Sequence, residues 1–447
     1  MLNKNDVIEI DITDLTVDGA GVGRSDGFAV FVPRALPGET VSAKIIKVTK
    51  SYAVGRLAKI IKPSEYRAEP FCKAFESCGG CTLQHLTYEQ QIEFKAKHIK
   101  ECFGRIGNIE IDTPQVVKAD NIRDYRNKAS FPVASVDGKA EAGFYAPHSH
   151  RLVATDCPIQ KQPINDLKNA VVAWANDNKI QAYDEEKHIG LLRHIVARQS
   201  SDGELMAGVV LKDWTNTKAL KEKLKELPGL KSIITNKNDK KQNAILGNKS
   251  QTIFGNDYIT ETYDGLEFRA GLTSFLQVNH EQSQKLYRIA LDFAQIDKDS
   301  VVFDLFCGIG TITLLAARQA KAVLGIEYVQ EAVDNAKENA RLNGIENAEF
   351  LAGDAGEMID EGIRLFGKPD IVILDPPRKG CDAKLLGKIT AASPERVVYV
   401  SCNPSTLARD AALLTKQGYA VIKVVGVDMF PHTTHVECVV LMSRTKD

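Results

Sequence analysis

The sequence contains no long apolar run and almost no net charge. No stretch of its 447 residues approaches the roughly 18 apolar residues that a membrane-spanning helix requires. The opening residues, MLNKNDVIEI, lack the apolar core of a signal peptide, so we expect a cytoplasmic protein with no membrane partner. Fifty-seven basic residues nearly balance 58 acidic ones, giving a net charge of −1. This balance argues neither for nor against a nucleic-acid partner, and any surface for one must be a local patch.

Cysteine is present without the signs of a disulfide framework. The nine cysteines are unevenly placed in a chain that lacks a secretion signal, which indicates metal binding or catalysis before disulfides. A chain of 447 residues suffices for two to three domains and for a core that needs no disulfide bonds. With 44% hydrophobic and 26% charged residues, the composition is that of a globular protein.

Secondary-structure patterns divide the chain into three regions. Residues 1–60 alternate short β-rich runs with glycine turns, which predicts a small all-β barrel. Residues 61–270 mix strand and helix patterns, which predicts an α+β middle domain. Residues 271–447 alternate strands and helices regularly, as in a doubly wound, Rossmann-like α/β sheet. We therefore expect an α/β fold whose chemistry lies in the third region.

Three cysteines of the middle region have the spacing of a metal site. Cys72, Cys78 and Cys81 follow the pattern C-x5-C-x2-C, with glycines that let the backbone fold around a ligand. Cys157, in the segment TDCP, is the candidate fourth ligand, whereas Cys102 lies in an amphipathic helix pattern and is expected in the core. Four thiolates fit either zinc or an iron–sulfur cluster, and the spacing does not separate the two. Four unligated cysteines are the alternative.

Basic and aromatic residues alternate in two segments between and after these cysteines. Arg126, Lys128 and Phe131 lie in DYRNKASF, and Arg193 and His194 lie in LLRHIVAR. Basic side chains interleaved with aromatic rings suit phosphate contacts and base stacking, so these residues are candidate RNA contacts. A strand with one solvated face would give the same pattern.

After a first helix, the third region contains a strand, a glycine turn and a second helix that are typical of a nucleoside site. The strand VVFDL is followed by the turn FCGIGT, and the next strand ends at Glu327. An acid at that position can accept hydrogen bonds from ribose hydroxyls, and glycines such as Gly308 let a cofactor approach the turn. The third glycine of the pyrophosphate fingerprint is missing, which favours S-adenosylmethionine over a dinucleotide. Asp354 follows the next strand, where an acid could contact adenine.

A thiol and a carboxyl group near the ends of the C-terminal strands suit methylation at carbon. Cys402 follows the buried strand VVYVS, and Glu437 opens the last strand. Asp375 begins Asp-Pro-Pro, which in methyltransferases acting on exocyclic nitrogen usually precedes an aromatic residue; here Arg378, a further candidate RNA contact, follows. Methylating carbon 5 of uracil needs a thiolate that adds at carbon 6 and a base that removes the carbon 5 proton. A buried structural cysteine is the alternative for Cys402 alone.

Taken together, the motifs SCNP, HTTHVE, DLFCG and FLQVN resemble those of the RNA uracil-5-methyltransferases over essentially the whole chain. The N-terminal barrel resembles a TRAM domain, an OB-like RNA-binding barrel. The cysteine spacing resembles that of the branch that holds a [4Fe-4S] cluster and acts on 23S ribosomal RNA. The resemblance implies roles for the following residues: Cys402 as nucleophile, Glu437 as base, Asp375 in the active site, Gln277, Phe306, Glu327 and Asp354 as cofactor contacts, and Cys72, Cys78, Cys81 and Cys157 as cluster ligands.

The resemblance leads us to expect a monomeric enzyme that forms 5-methyluridine in 23S ribosomal RNA, with no protein partner. Some members of that branch serve two ribosomal sites, so one or two target uridines remain open. Transfer RNA is the alternative substrate, although family members acting there often lack the barrel and the cluster. An RNA-binding or RNA-folding module with incidental methylation is the alternative of another class, but RNA binding alone requires neither Cys402 nor Glu437.

Overall fold

The first strands close into a small barrel. The computed structural model of the chain describes residues 2–241 and 244–445, so the outer ends of the first and third predicted regions lie outside it. The barrel strands follow the order β1-β2-β3-β5-β4. Alternate residues of these strands, among them Ile12, Val32 and Ile45, point inwards and form the barrel core. The bounds are β1 Val7–Leu15, β2 Ala20–Ser25, β3 Phe28–Pro33, β4 Thr40–Val48 and β5 Tyr52–Lys62.

A helix and a short strand follow the cysteine-containing loop. Helix α1 spans Tyr88–Cys102 and continues into a π-helical turn at Phe103–Gly107, and β6 spans Gln115–Val117. The apolar residues of α1 recur at helical spacing, which gives it one buried face.

The middle of the chain forms a seven-stranded sheet in the order β13-β12-β11-β10-β7-β8-β9. Helices α2 and α3 cover one face, where Trp174 and Phe131 are among the buried residues. A two-stranded ribbon, β14 and β15, leads towards the C-terminal sheet. The bounds are β7 Lys128–Val136, β8 Lys139–Tyr145, β9 Leu152–Ala154, α2 Gln162–Asp177, β10 Leu192–Gln199, β11 Leu205–Leu211, α3 Lys218–Lys225, β12 Leu230–Lys237, β13 Lys249–Gly255, β14 Tyr258–Tyr263 and β15 Leu266–Gly271.

The C-terminal residues form an eight-stranded sheet in the order β18-β17-β16-β19-β20-β22-β21-β6. Strands β16 to β20 are parallel, and β22 runs antiparallel to its neighbours β20 and β21. The bounds are α4 His280–Ala294, β16 Val301–Leu305, α5 Thr311–Ala317, β17 Ala322–Glu327, α6 Gln330–Leu342, β18 Ala348–Ala352, α7 Ala355–Phe366, β19 Ile371–Leu374, α8 Ala383–Ala392, β20 Arg396–Ser401, α9 Pro404–Thr415, β21 Tyr419–Val427 and β22 Glu437–Arg444.

Alternation along these strands builds a core on each face of the sheet. In β20, Val398 and Val400 pack with α4, α5 and α6, whereas Val397 and Tyr399 pack with α7, α8 and α9. The order of the strands reverses between β16 and β19, and open α/β sheets bind ligands at such a switch point, outside the carboxyl ends of the strands. The predicted α/β class, with a barrel and a mixed middle region, is therefore confirmed.

Part of the predicted middle region packs on the C-terminal sheet. Strand β6 extends that sheet by pairing in parallel with β21, and α1 joins the core beneath α9 through Ile92, Ala96 and Ile99. The sequence pattern showed that α1 is amphipathic, but not which sheet receives its apolar face. Among the helices of residues 2–241 and 244–445, none is long and apolar enough to cross a membrane.

Candidate active site

Strand register brings the predicted thiol and carboxyl group to the same place. Cys402 follows β20 directly, and Glu437 is the first residue of β22. Ser401 pairs with Cys438 in the antiparallel ladder, so the next opposed positions are Cys402 and Glu437. Both therefore lie at the carboxyl edge of the parallel strands, where Asp375 also lies because it follows β19.

The backbone around Cys402 is fixed by hydrogen bonds. The Asn403 carboxamide oxygen accepts from the Ser405 N–H (3.1 Å) and caps α9, while its Nδ2 donates to the Arg378 carbonyl (3.1 Å). The Thr406 hydroxyl donates to the same carbonyl (3.2 Å), so Arg378 is tied to the loop of Cys402. Cys402 and Arg378 line a cleft of about 220 Å³.

The nucleophile candidate lies between opposite charges. Burial raises the pKa of the Cys402 thiol above its ordinary value, Glu437 adds to the shift, and the Arg378 guanidinium opposes it. Cys402 is half-buried, so a substrate can reach its thiol. Cys102 and Cys438 are buried.

Glu437 is shielded from water. Its side chain lies in the protein interior, and burial raises its pKa to about 8, with Asp375 adding to the shift and Arg378 opposing it. Burial likewise raises the pKa of Asp375 to about 7, with a contribution from Asp304. A carboxyl group with a pKa near neutrality can accept a proton and release it again, as a general base in turnover must.

Polar groups gather at the switch point between β16 and β19, where α/β sheets have a crevice outside the carboxyl ends of the strands. Glu327, at the end of β17, accepts hydrogen bonds from the N–H groups of Gly308 (3.1 Å) and Val329 (2.9 Å). Gly308 has a φ of +56° and open space beside it, so a side chain there would be strained and would fill the crevice. Phe306 adopts a φ of 72°, a costly conformation for an aromatic residue that is typical of functional sites.

Asp304 gives the crevice a buried acceptor. Its Oδ2 accepts a hydrogen bond from the Thr313 hydroxyl (2.6 Å), but its Oδ1 is buried and has no partner among the described residues. Burial raises its pKa to about 7. An unsatisfied buried acceptor is costly unless a ligand completes it, so this side of the crevice fits a donor group of a bound molecule.

The remaining cofactor candidates lie around this crevice in different ways. Asp354 caps α7 through a hydrogen bond from Gly356 N–H (2.9 Å), and the Gly353 N–H before it donates to the Glu327 carbonyl (2.9 Å). Gln277 is buried in the segment before α4, where its carbonyl accepts from Asn127 Nδ2 (3.3 Å). The structure thus brings Asp354 close to Glu327. Gln277 lies in the segment that leads into α4, and no hydrogen bond joins it to Glu327 or Asp354 among the described residues.

The four predicted metal ligands share one cavity. Cys72, Cys78, Cys81 and Cys157 line a cavity of about 410 Å³, which Arg126 also lines. Burial raises the pKa of Cys81 to about 12 and that of Cys157 to about 11, and the neighbouring thiols add to both shifts. No group of three or more His, Cys, Asp and Glu side chains within the described ranges is placed to hold a single metal ion.

A protein-family model and a domain model match this chain. A model of the family described as tRNA (Uracil-5-)-methyltransferase matches residues 87–445, and a TRAM domain model matches residues 2–58. The chain belongs to the tRNA (uracil-5-)-methyltransferase family. The first match begins beside α1, in agreement with the packing of α1 on the C-terminal sheet.

Relatives that match over nearly their whole length, and one solved structure, support this family assignment. An uncharacterized RNA methyltransferase of Halalkalibacterium halodurans is 45% identical over 99% of this chain and 98% of its own. One of Clostridium acetobutylicum is 43% identical, with the same coverage. The crystal structure of Pyrococcus abyssi tRNA (uracil-54, C5)-methyltransferase in complex with S-adenosyl-L-homocysteine superposes with a TM-score of 0.80 and 27% identity, covering 97% of this chain and 99% of that one. The predicted enzyme class, an S-adenosylmethionine-dependent RNA uracil-5-methyltransferase, is confirmed.

Three of the residues predicted to contact RNA in this family member are inside the protein. Phe131 is fully buried and packs on the ring of Phe144, with 5.2 Å between ring centroids. Arg193 is buried on β10 and donates to the carbonyl oxygens of Asn238 (2.8 Å) and Lys240 (2.7 Å). His194 is buried as well, and burial lowers its pKa to about 4. The structure therefore leaves these three side chains little surface for RNA, because β7 and β10 lie inside the middle sheet, and their assignment as RNA contacts stays a prediction.

The other predicted RNA contacts lie at two separate places. Arg126 and Lys128 line the cysteine cavity, and burial lowers the pKa of Lys128 to about 7. Arg378 is exposed at the cleft beside Cys402. Arg378 is thus the one of the six candidates that the structure brings to the active site.

Several residues of the site carried no signal in the sequence of this methyltransferase. His98 of α1, and Val17 and Asp18 of the barrel, line the same cleft as Cys402. Tyr287 of α4 is buried close enough to Asp304 and Glu437 for both charges to act on it. No sequence motif links these positions to Cys402, since three separate parts of the fold bring them there.

Proposed function

We propose that this enzyme forms 5-methyluridine in 23S ribosomal RNA in the cytoplasm, with Cys402 as nucleophile and Glu437 as general base. The register that opposes Cys402 to Glu437 at the carboxyl edge of the sheet carries the proposal. Uracil chemistry needs a thiolate and a base on facing sides of one ring, and these two side chains come from adjacent antiparallel strands.

The reaction follows from these two groups. The Cys402 thiolate forms a bond to carbon 6 of the uracil, and the electron pair displaced to carbon 5 attacks the methyl group. The residues around Glu327 and Gly308 would hold S-adenosylmethionine, which would supply this methyl group from its sulfonium while the sulfur keeps the bonding electron pair. Glu437 then takes the proton from carbon 5, and the bond between Cys402 and carbon 6 breaks to release the product. Reaching carbon 6 inside a folded RNA requires extrusion of the target base.

The residues of the crevice fit the cofactor. The Glu327 carboxylate and the open space at Gly308 suit a ribose that approaches the turn closely, and Asp354, which follows β18 and caps α7, suits the adenine. The unpartnered Oδ1 of Asp304 suits a donor such as an amino group. In this proposal the cofactor contacts are Gln277, Phe306, Gly308, Glu327, Asp354 and Asp375.

The four cavity cysteines are candidate ligands of an iron–sulfur cluster, which we propose in preference to zinc. A zinc ion holds thiolates at about 2.3 Å, which places the sulfur atoms within roughly 4 Å of one another. The four thiols line one cavity of about 410 Å³ together with other residues, and this space has room for a group larger than a single ion. We assign Cys72, Cys78, Cys81 and Cys157 as ligands of a [4Fe-4S] cluster, which would brace the fold. The methyl transfer has no net electron demand.

Transfer RNA is the second candidate substrate. The specific observation in its favour is the superposition of nearly the whole chain on a Pyrococcus abyssi enzyme that acts on transfer RNA. The chemistry of Cys402 and Glu437 would be the same on either RNA, so the substrate must be decided by experiment.

The deciding experiment supplies labelled S-adenosylmethionine and undermodified total RNA, then separates ribosomal from transfer RNA before nucleoside analysis. We expect label in 5-methyluridine of 23S RNA. Cys402→Ala should abolish transfer and leave cofactor binding nearly unchanged, whereas Cys381→Ala, which alters a buried cysteine outside the cleft, should remain active.

A second variant separates the two catalytic roles. Glu437→Gln should permit methyl transfer but stall removal of the proton, so a covalent complex with RNA should accumulate on denaturing gels. Label only in transfer RNA would move the substrate assignment and keep both residues. An active Cys402→Ala variant would refute the nucleophile assignment, and label in neither RNA would favour an RNA-binding module.

A further inference from the structure

The turn between β1 and β2 of the TRAM barrel projects to the catalytic cleft. Residues Thr16 to Gly19 form this turn, and its ends are joined by hydrogen bonds from Thr16 N–H to the Ala20 carbonyl (2.8 Å) and from Gly19 N–H to the Thr16 carbonyl (2.8 Å). The Thr16 hydroxyl also accepts from the Ala20 N–H (3.0 Å). The turn is therefore a defined structure whose tip is Val17 and Asp18.

Packing holds this turn against the methyltransferase core. Gly19 has a φ of +80°, and a Cβ placed there would meet the side chains of Leu83 and Thr434 at 3.2 Å. Leu83 in turn donates its N–H to the His432 carbonyl (2.9 Å). Beside the turn, Asp14 pairs with Lys97 of α1 (2.8 Å), so the barrel also contacts α1.

The tip of the turn forms one wall of the cleft that contains the nucleophile. Val17 and Asp18 line this cleft together with Cys402 and Arg378. Val17 is 60% exposed, so its side chain is accessible to a molecule in the cleft. The Asp18 carboxylate acts on the ring of His435 across the cleft, so the two walls are within electrostatic reach.

We propose that Val17 and Asp18 bind the nucleotide next to the target uridine and thereby determine which uridine is methylated. This inference rests on the proposed function, because it concerns the RNA that enters the Cys402 cleft. Val17 presents an apolar surface that can occupy the space left in the stack by the extruded base, as apolar wedges do in other nucleic-acid complexes.

The carboxylate of Asp18 determines what part of the RNA it can face. A carboxylate repels phosphate but accepts hydrogen bonds from base N–H groups, and amino groups such as cytosine N4 are its usual partners. Arg378, on the same cleft, carries the positive charge that suits the phosphate. We therefore expect Asp18 to favour a neighbouring nucleotide whose base carries an exocyclic amino group.

The test compares matched turns at opposite ends of β2. Asp18→Asn and Val17→Ala alter the turn at the cleft, and Asp26→Asn makes the same charge change in the exposed β2–β3 turn, which does not line the cleft. Steady-state kinetics on an RNA fragment that the parent enzyme methylates, with each base in turn beside the uridine, gives KM and kcat for every variant. Thermal melting and S-adenosyl-L-homocysteine binding verify the fold.

We expect KM to rise about tenfold for Asp18→Asn and Val17→Ala, with kcat nearly unchanged, and Asp26→Asn to match the parent. The parent should favour a neighbouring base with an amino group over uracil, and Asp18→Asn should lose that preference. Equal KM values for all three variants and the parent would overturn this inference while the enzyme remains active. A parent that forms no 5-methyluridine on any RNA would overturn the proposed function, and this inference with it.

Discussion

Arg378 is the cationic side chain that acts on both proposed catalytic groups. It opposes the rise in the pKa of Cys402 and in that of Glu437, which burial causes in both cases. Cys402 is half-buried between the charges of Glu437, Asp375 and Arg378. Its thiolate therefore depends on a guanidinium that is itself exposed and that could also bind RNA phosphate.

Replacing this arginine should change the pH dependence of methyl transfer. Both Cys402 and Glu437 must lose a proton before they act, so activity should rise with pH through the neutral range, where the pKa of Glu437 is about 8. Arg378→Gln should move this rise to higher pH, because the positive charge that favours both anions is gone. Loss of a charge-assisted contact worth roughly 1.5 kcal/mol corresponds to about tenfold lower kcat/KM at pH 7.

The adjacent lysine gives the control for that experiment. Lys379 carries the same charge on the next residue, is exposed, and does not line the cleft of Cys402. Lys379→Gln should leave the pH profile of kcat/KM where it is. If Arg378→Gln lowers kcat/KM by the same factor at every pH, then Arg378 binds RNA and does not tune the thiol.

At the scale of the secondary-structure elements, α1 is fastened to the methyltransferase sheet by a buried ion pair. Lys95 of α1 and Asp428, which follows β21, have no exposed side-chain surface, and Lys95 also donates to the Phe430 carbonyl (3.1 Å). The Tyr88 hydroxyl donates to Asp428 (2.8 Å), and the Asp428 N–H donates to the Val117 carbonyl of β6 (3.0 Å). These contacts join α1, β6 and β21 at one point.

Breaking that ion pair should destabilise the protein strongly. Asp428→Ala leaves the Lys95 ammonium buried without a counter-charge, and such a loss costs roughly 3 to 5 kcal/mol. Asp360→Ala removes the partly exposed pair with Lys388 and should cost less than about 1 kcal/mol. Urea denaturation of the full chain measures both. Equal midpoints for the two variants would contradict a structural role for the buried pair.

The sequence was most informative where function requires residues at the ends of strands. Continuous apolar runs locate β16, β19 and β20, and the residues after each run must then lie at one sheet edge. That reasoning reached Cys402, Asp375 and the opposing Glu437, and the structure brings these residues together. The family and the TRAM barrel are confirmed as well.

Residues whose surroundings come from distant parts of the chain were not predictable in this way. Phe131 and Arg193 have the local pattern of an exposed basic strand, but the neighbouring strands and α2 bury them. The reverse holds for Val17, which reads as an ordinary turn residue and reaches the cleft of Cys402 because the barrel packs on Thr434. Local periodicity reports which face of an element is apolar, and it carries no information on which partner covers that face.

At the scale of the whole molecule, the cysteine cavity connects three parts of the fold. Its walls come from the cysteine loop, from β7 of the middle sheet at Lys128, and from Val278 in the segment that leads into α4. A group bound by four thiolates there would cross-link the cysteine loop to the middle sheet, and the adjoining Val278 belongs to the methyltransferase region. Such a cross-link would hold RNA-binding surfaces of different regions in a fixed arrangement.

The metal content of anaerobically purified protein tests this assignment. We expect a brown protein with broad visible absorption and about four iron atoms per chain. Cys81→Ser should lose the colour, most of the iron and several degrees of melting temperature, because one of the four ligands is missing. Cys102→Ala should keep the colour and the iron, since Cys102 lies in α1 outside the cavity. A colourless parent protein with one zinc ion per chain would contradict the cluster.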